Sequence, residues 1–332
     1  MRKIIRIGII GFGNVGKGVL KAVGKNSDME LIAIFTRRPK KVHDEMESRG
    51  GGIFVFEPEQ AFYNSGSRID VAILCGGSKK DLPAQGPKFA ERFNTVDSFD
   101  THADIPNQFR LMDISSNKGD RVSIISAGWD PGIFSVQRVL NDAFLPTNKT
   151  YTFWGRGVSQ GHSDAARKVT GVADARQYTI PIESALEAVR KGKASDFTKR
   201  QMHTRLVYVV PKIGADLKKI KEDIKSMPNY FDEYETKVVF INKEEMAKSH
   251  SSYPHGGFVL ASGETGDGNK QILEYRCQLE SNPEFTGSVL VACARAAFRL
   301  NKMGRKGAFT MLDIPPCYLS PHSSTVLLEK FM

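Results

Sequence analysis

Gly11-Phe12-Gly13-Asn14-Val15-Gly16 sets three glycines in G-x-G-x-x-G spacing. That spacing suits phosphate binding. The first glycine permits a tight turn, the second lets the backbone approach a pyrophosphate, and the third lets a helix lie close to a strand. About twenty residues further on, an enzyme that uses NAD carries an acid for the ribose 2′-hydroxyl. This chain has Thr36-Arg37-Arg38 there. Two guanidiniums and a hydroxyl bind a 2′-phosphate, whereas a carboxylate repels it, so these residues predict NADP over NAD. One arginine alone would read as a solvated strand end; the pair at this position does not. Cys75-Gly76-Gly77-Ser78 fits either backbone contacts to the same cofactor or a plain strand-to-helix turn.

Two acids follow short apolar runs: Asp97 closes Asn94-Thr95-Val96-Asp97, and Asp130 lies in Ser126-Ala127-Gly128-Trp129-Asp130-Pro131-Gly132. Oxidising an amine by hydride loss needs a nitrogen that arrives charged and reacts as the free base. Paired carboxylates can dock the ammonium, and one can help accept its proton. Trp129 could wall the cleft against water. Read alone, Asp130 fits better as a helix N-cap ahead of Pro131, and Asp97 is evenly balanced between a chemical and a structural role. Ser159-Gln160-Gly161-His162-Ser163-Asp164 is a polar stretch suited to backbone contacts with an anion. Thr179, Arg205, His255 and Asn282 are scattered, and their spacing singles none of them out. His250 and His255 lack the spacing of a helical metal pair, and no metal is expected.

The elements that must position these residues alternate. Ile4 to Ile10, Met29 to Phe35, Asp70 to Cys75, Asn94 to Asp97 and Val122 to Ser126 read as buried strands. Helical patterns separate them: Val15, Val19, Leu20 and Val23 recur at helical spacing, and Leu82 to Phe93 reads as a helix. Such alternation predicts an α/β fold with a Rossmann-type doubly wound sheet. In that fold the reaction lies outside the carboxyl ends of the strands. A helix is expected from Ile133 to Phe144. Beyond it come longer strand candidates, Tyr-Thr-Phe-Trp-Gly from Tyr151, Arg-Leu-Val-Tyr-Val-Val from Arg205 and Thr-Lys-Val-Val-Phe-Ile from Thr236, with a charged helix from Leu217 to Lys225. They predict an α+β second domain with a partly exposed antiparallel sheet. Ser288 to Met303 reads as a small-residue helix that packs back on the first domain.

The 332 residues suffice for two domains. The net charge of +10 suits a phosphorylated cofactor, and the basic residues are not interleaved with aromatics as nucleic-acid binding would require. Cys75, Cys277, Cys293 and Cys317 form no C-x-x-C pair and read as buried small hydrophobes in a reducing compartment. No apolar run is long enough to span a bilayer. Arg6 breaks the faint signal-like opening, and the expected location is the cytoplasm.

The motifs resemble the meso-diaminopimelate D-dehydrogenase family along nearly the whole chain. They include GFGNVGKG from Gly11, FTRRP from Phe35, LCGGS from Leu74, TVDSFDTH from Thr95, SAGWDPGIFS from Ser126, FWGRGVSQGHSD from Phe153, YPHGG from Tyr253 and NPEFTGS from Asn282. The resemblance implies NADP-dependent oxidation of meso-diaminopimelate to L-2-amino-6-oxopimelate and ammonia. It implies that Asp97 and Asp130 face the reacting amino group beside Trp129, and that the backbone at Gln160 and Gly161 holds the neighbouring carboxylate. It further implies that Trp154, Thr179, Arg205, His255 and Asn282 recognise the distal centre, with Asp164 in the same cleft. Cofactor contacts fall to Gly11 through Gly16, Thr36 to Arg38 and Cys75 to Ser78. The implied organisation is a dinucleotide domain over 1–130, completed by about 290–332, and a substrate-binding and dimerisation domain over 131–289, in a homodimer. The competing readings are another two-domain NADP oxidoreductase, such as a dihydrodipicolinate reductase-like or semialdehyde dehydrogenase-like enzyme, a non-enzymatic NADP-binding regulator, and a nucleic-acid binder. The semialdehyde chemistry needs a nucleophilic cysteine, and neither Cys75 nor Cys317 has an evident activating partner in the sequence.

Overall fold

The β-branched run at the start of the chain has nowhere polar to go, and it forms β1 (Ile5–Ile10), with Ile7, Ile9 and Ile10 fully buried. The computed structural model describes residues 4–56, 68–193 and 196–332. The chain divides into two compact units, 1–136 with 283–332, and 137–282. The first unit thus takes in the start of the helix Ile133–Phe144 and nearly all of the helix Asn282–Lys302, which pass the limits 130 and 290 drawn from sequence.

In the first unit β1 is joined by β2 (Met29–Phe35), β3 (Phe54–Phe56), β4 (Val71–Leu74), β5 (Asn94–Asp97) and β6 (Val122–Ile124). The strand Gly307–Phe309 adds to β6, and every pairing is parallel. From that edge the order is Gly307–Phe309, β6, β5, β4, β1, β2, β3. The chain therefore builds away from β1 first on one side and then on the other, as in a doubly wound Rossmann-type sheet. The crevice at the carboxyl ends of β1 and β4 is the switch point where such folds bind ligands. One face of the sheet packs Ile5, Ile7, Ile9, Ile73 and Val96 against Val19 of α1 (Asn14–Val23) and against Leu290, Ala294 and Ala297 of the helix Asn282–Lys302. The other face packs Ile10, Leu74, Phe89, Phe93 and Phe99. Arg6, the one charge inside β1, is held by Asp70 through two side-chain bonds of 3.1 Å.

The helix Asn282–Lys302 begins well before the expected Ser288, because Pro283 sits in its first turn, where no backbone donor is needed. Its small residues let it lie almost backbone to backbone on α1. A Cβ at Gly287 would stand 2.4 Å from the Gly18 carbonyl carbon, and one at Gly18 would stand 2.4 Å from the Pro283 oxygen. Among the described residues no helix is long and apolar enough to cross a membrane.

The second unit contains β7 (Thr147–Trp154), β8 (Gly157–Val158), β9 (Val172–Pro181), β10 (His203–Pro211), β11 (Glu235–Phe240), β12 (His255–Glu264) and β13 (Lys270–Leu279). These make two sheets, ordered β11-β10-β9-β8 and β13-β12-β7. The expected antiparallel sheet is corrected in two respects: there are two sheets, and β10 and β11 run parallel. The helix Leu217–Lys225 lies between them in sequence, and a crossover of that length returns the chain in the same direction.

Candidate active site

The carboxyl ends of β1, β2 and β4 enclose a cleft of about 450 Å³ lined by Gly11, Phe12, Gly13, Thr36, Arg37, Arg38, Cys75, Gly76 and Gly77. Gly11 has φ +91°, and a Cβ there would press on the Cys75 carbonyl at 3.2 Å. A Cβ at Gly16 would reach 2.3 Å from the Gly11 oxygen, so the turn and the helix can meet only without side chains. At Gly13 an added Cβ would meet nothing within 4 Å. The space in front of Gly13 is open, and α1 begins there with no side-chain cap on the first-turn donors at Asn14, Val15 and Gly16. Free N–H groups at a positive dipole end facing open space suit a pyrophosphate.

Thr36 is buried and accepts the Arg38 backbone N–H through Oγ1 at 3.2 Å. The Arg38 guanidinium donates to the Phe12 carbonyl at 3.0 Å, which clamps the glycine turn. Arg37 is exposed over 84% of its side chain, with its Nη2 3.8 Å from Asp81 Oδ2. Asp81 in turn accepts the Gly77 N–H at 2.9 Å. Three residues of the run at Cys75 line the cleft, and Ser78 accepts the Asp100 N–H through Oγ at 3.0 Å. Burial pushes the Cys75 thiol up, the opposite of what a nucleophilic thiolate needs.

Asp97 ends β5 fully buried. Its Oδ1 accepts the N–H groups of Phe99 and Ser126, both at 3.0 Å. Oδ2 is buried with no hydrogen-bond partner among the described residues. Burial pushes this carboxyl up to about 6, opposed in part by the two backbone donors. A buried oxygen without a donor is costly, and an ammonium brought to it would supply both donors and charge. Trp129, after β6, is buried with its ring edge-on to Phe134 at 5.1 Å. Asp130 is half-buried in the turn before the helix that starts at Ile133. The Gly132 N–H, nearer that start, goes to Ser135 Oγ at 3.2 Å.

In the second unit, strand pairing gathers residues far apart in sequence. Arg205 on β10 lies opposite Thr179 on β9, and Gly157 on β8 pairs with Thr179 from the other side. Arg205 is buried and donates to Thr179 Oγ1, and its Cζ lies 3.9 Å from the centre of the Tyr234 ring. Its Nε is buried without a partner, and no acidic side chain pairs with it among the described residues. Burial lowers the Arg205 pKa. The same burial, followed by the charge of Arg205, pushes His162 down to about 4 and His203 down to about 3. Both imidazoles are therefore neutral at physiological pH and add no competing cation.

Trp154 stacks on His203 at 5.4 Å and gives its backbone N–H to His203 Nε2 at 2.9 Å. His255 opens β12, where a Cβ on Gly157 would come within 2.5 Å of its Cα. Asn282 closes the unit, its N–H on the Tyr253 carbonyl at 3.0 Å. Gln160 and Gly161 are exposed in the first turn of the helix Gln160–Arg167, which Ser159 caps. Asp164, on the same helix, is exposed and paired with Arg167. These contacts join Trp154, Thr179 and Arg205 through β-strand neighbours, while Asp164 turns to its own helix.

Sequence reasoning passed over Asp81, His203, Tyr234 and Gln177. Two of them had a signal. His203 stands two positions before Arg205, and Gln177 two before Thr179, so each shares a strand face with a residue already chosen. Asp81 and Tyr234 approach from outside the strands, and no periodicity marks them.

The diaminopimelic acid dehydrogenase C-terminal domain family matches residues 128–281. Meso-diaminopimelate D-dehydrogenase of Lysinibacillus sphaericus is 52% identical over 99% of both chains. A Corynebacterium glutamicum DAP dehydrogenase structure in complex with DAP is 41% identical, with a TM-score of 0.91 over 100% of both chains. An engineered D-amino acid dehydrogenase bound to NADP+ is 40% identical, with a TM-score of 0.86 over 99% of this chain and 100% of that one. With a glycine turn shaped for a dinucleotide, a buried acid two strands away at the same end of the sheet and full-length identity at this level, the chain is a dehydrogenase that belongs to the meso-diaminopimelate D-dehydrogenase family.

Proposed function

We propose that the enzyme carries out reversible, NADP-dependent oxidative deamination at the D-centre of meso-2,6-diaminopimelate. Substrate, water and NADP+ give L-2-amino-6-oxopimelate, ammonia, NADPH and a proton. The observation that carries the substrate assignment is Arg205, a buried guanidinium with a hydroxyl on one side, an aromatic face on another and no acid paired with it among the described residues. Removing a charge from water without a counterion is costly, and a substrate carboxylate taken up through two hydrogen bonds would offset that cost. A ligand with an amino-carboxylate at each end supplies such a group far from its reacting carbon.

The chemistry supplied by the cofactor when bound is acceptance of a hydride. Its 2′-phosphate falls to Thr36, Arg37 and Arg38, and its pyrophosphate to Gly11 through Gly16; Cys75, Gly76, Gly77 and Ser78 contribute backbone. Asp97 and Asp130 dock the ammonium of the D-centre, and the open Oδ2 of Asp97 is suited to hold a proton that leaves it. Trp129 shields that nitrogen from water. The backbone at Gln160 and Gly161 holds the D-centre carboxylate, with Asp164 at the edge of the group. Trp154, Thr179, Arg205, His255 and Asn282 hold the distal centre, which fixes the carbon that reacts. The dinucleotide-binding domain is assigned to 1–130 with about 290–332, and the substrate and dimerisation domain to 131–289. The working form is a homodimer of small-molecule chemistry, without a nucleic-acid or membrane partner. Cys277 and Cys293 are buried as expected of all four cysteines, whereas Cys75 is half-buried and Cys317 exposed; four free thiols suit the reducing cytoplasm.

The test is NADPH absorbance when the purified, folded protein meets NADP+ and the meso isomer, with the LL isomer as control. NADPH with meso and none with LL is the expected result. Silence with meso overturns the assignment, and equal rates with NAD+ overturn the cofactor choice.

A further inference from the structure

The opposite edge of the parallel sheet, where its strands begin, carries a pocket of about 220 Å³. Its lining includes Arg6 in β1, Asp70 just before β4, Arg92 and Asn94 at the entry to β5, Arg121 just before β6, and Lys302 ending the helix Asn282–Lys302. All belong to the first unit. Four cations line it against one carboxylate, and Arg6 grips that carboxylate through both oxygens. Arg121 makes no side-chain hydrogen bond or ion pair among the described residues, and its Nε is buried. Lys302 likewise makes no ion pair among them; its Nζ lies 5.6 Å from the centre of the Phe298 ring. Two carboxylates near in sequence are engaged elsewhere: Asp120 by Lys306 at 2.9 Å and Glu91 by Lys118 at 3.0 Å.

A buried donor left unpaired is costly, and guanidiniums converging with an ammonium match an oxyanion that can accept from several directions. From this we infer a second anion site in the molecule, built for a phosphate group, at the end of the sheet remote from the glycine turn. A tetrahedral dianion balances more of the local charge than a single carboxylate does. The size of the pocket limits the ligand to free phosphate or a small phosphate ester. This inference does not depend on the substrate assignment above.

Calorimetric titration of inorganic phosphate into the full-length protein tests it. The protein is held at low ionic strength and saturated with NADP+, so that phosphate cannot enter the glycine turn, and matched chloride additions control for salt. One phosphate per chain is expected. Its affinity should fall roughly tenfold or more in Arg121→Gln and in Lys302→Gln, with dehydrogenase turnover unchanged in both. Lys302 is exposed, so that variant decides the matter if Arg121→Gln does not fold. No saturable heat in the wild type, or wild-type affinity in the folded variants, overturns the site. A parallel titration with glycerol phosphate identifies the source by whichever of the two binds tighter.

Discussion

At the scale of single residues, Asp97 has one carboxylate oxygen bound by two backbone donors and the other buried without one among the described residues. Its carboxyl is pushed up to about 6 by burial, against an ordinary 3.8. A raised carboxyl pKa means that the folded state holds the proton more tightly than the unfolded chain does. Stability from this group is therefore complete at acid pH and is lost as pH rises through about 6. Asp97→Asn should gain stability relative to wild type at about pH 8 compared with about pH 5, read from denaturant unfolding. The same substitution should remove the acid limb of kcat/KM, which reports the free enzyme, and cut turnover by roughly 10²-fold. An acid limb that persists near pH 6 in the variant would assign it to another group. Arg205 gives a second expectation. Arg205→Met should lower kcat/KM for diaminopimelate by roughly 10- to 100-fold, the value of a charge-assisted bond, and leave simple D-amino acids much less affected. Equal losses on both substrates would remove its distal role. Asp97 was visible in the sequence as an acid after a strand. Arg205 was legible only through the family resemblance, because what sets it apart, the lack of an acid partner among the described residues, is a property of the packed strands.

Among the elements, the opening strand, turn and helix were legible because each signal agreed with the next: a β-branched run, three spaced glycines, then apolar residues at helical spacing. The parallel pairing of β10 with β11 was not, since nothing in either strand encodes direction; the length of the intervening chain does. The early start of the helix Asn282–Lys302 was missed because Pro283 reads as a breaker unless it is placed in the first turn. That helix makes its closest approach at Gly287, where a Cβ would lie 2.4 Å from the Gly18 carbonyl carbon and 2.5 Å from the Val19 nitrogen. Backbone atoms cannot swing aside as a side chain can. Gly287→Ala should therefore force α1 away from the helix and cost roughly 1–3 kcal/mol in chemical denaturation, by overpacking. Loss of affinity for NADP+ should accompany it, because α1 carries the glycine turn at its start. A variant as stable as wild type would show that the two helices slide freely at this contact.

On the scale of the whole molecule, the formal charge of +10 acts beyond any one contact. A net cationic surface attracts a polyanionic cofactor over distances that depend on salt, since screening sets in at about 30 Å in 10 mM salt and about 10 Å in 100 mM. NADP+ carries a phosphate that NAD+ lacks, so it gains more from this field and loses more when salt is added. Arg37 concentrates the effect, because its side chain is 84% exposed at the cleft and its ion-pair partner, Asp81, stands 3.8 Å away. Raising salt from about 20 to about 200 mM should weaken NADP+ binding by roughly 3- to 10-fold and NAD+ binding by less, with chloride as the common anion. Arg37→Gln should bring the two slopes together while leaving Arg38 to clamp the turn through Phe12. Fluorescence titration of each cofactor at several salt concentrations measures both slopes. If the slopes are already equal in the wild type, neither the general charge of the protein nor the arginine at the strand end distinguishes the two cofactors.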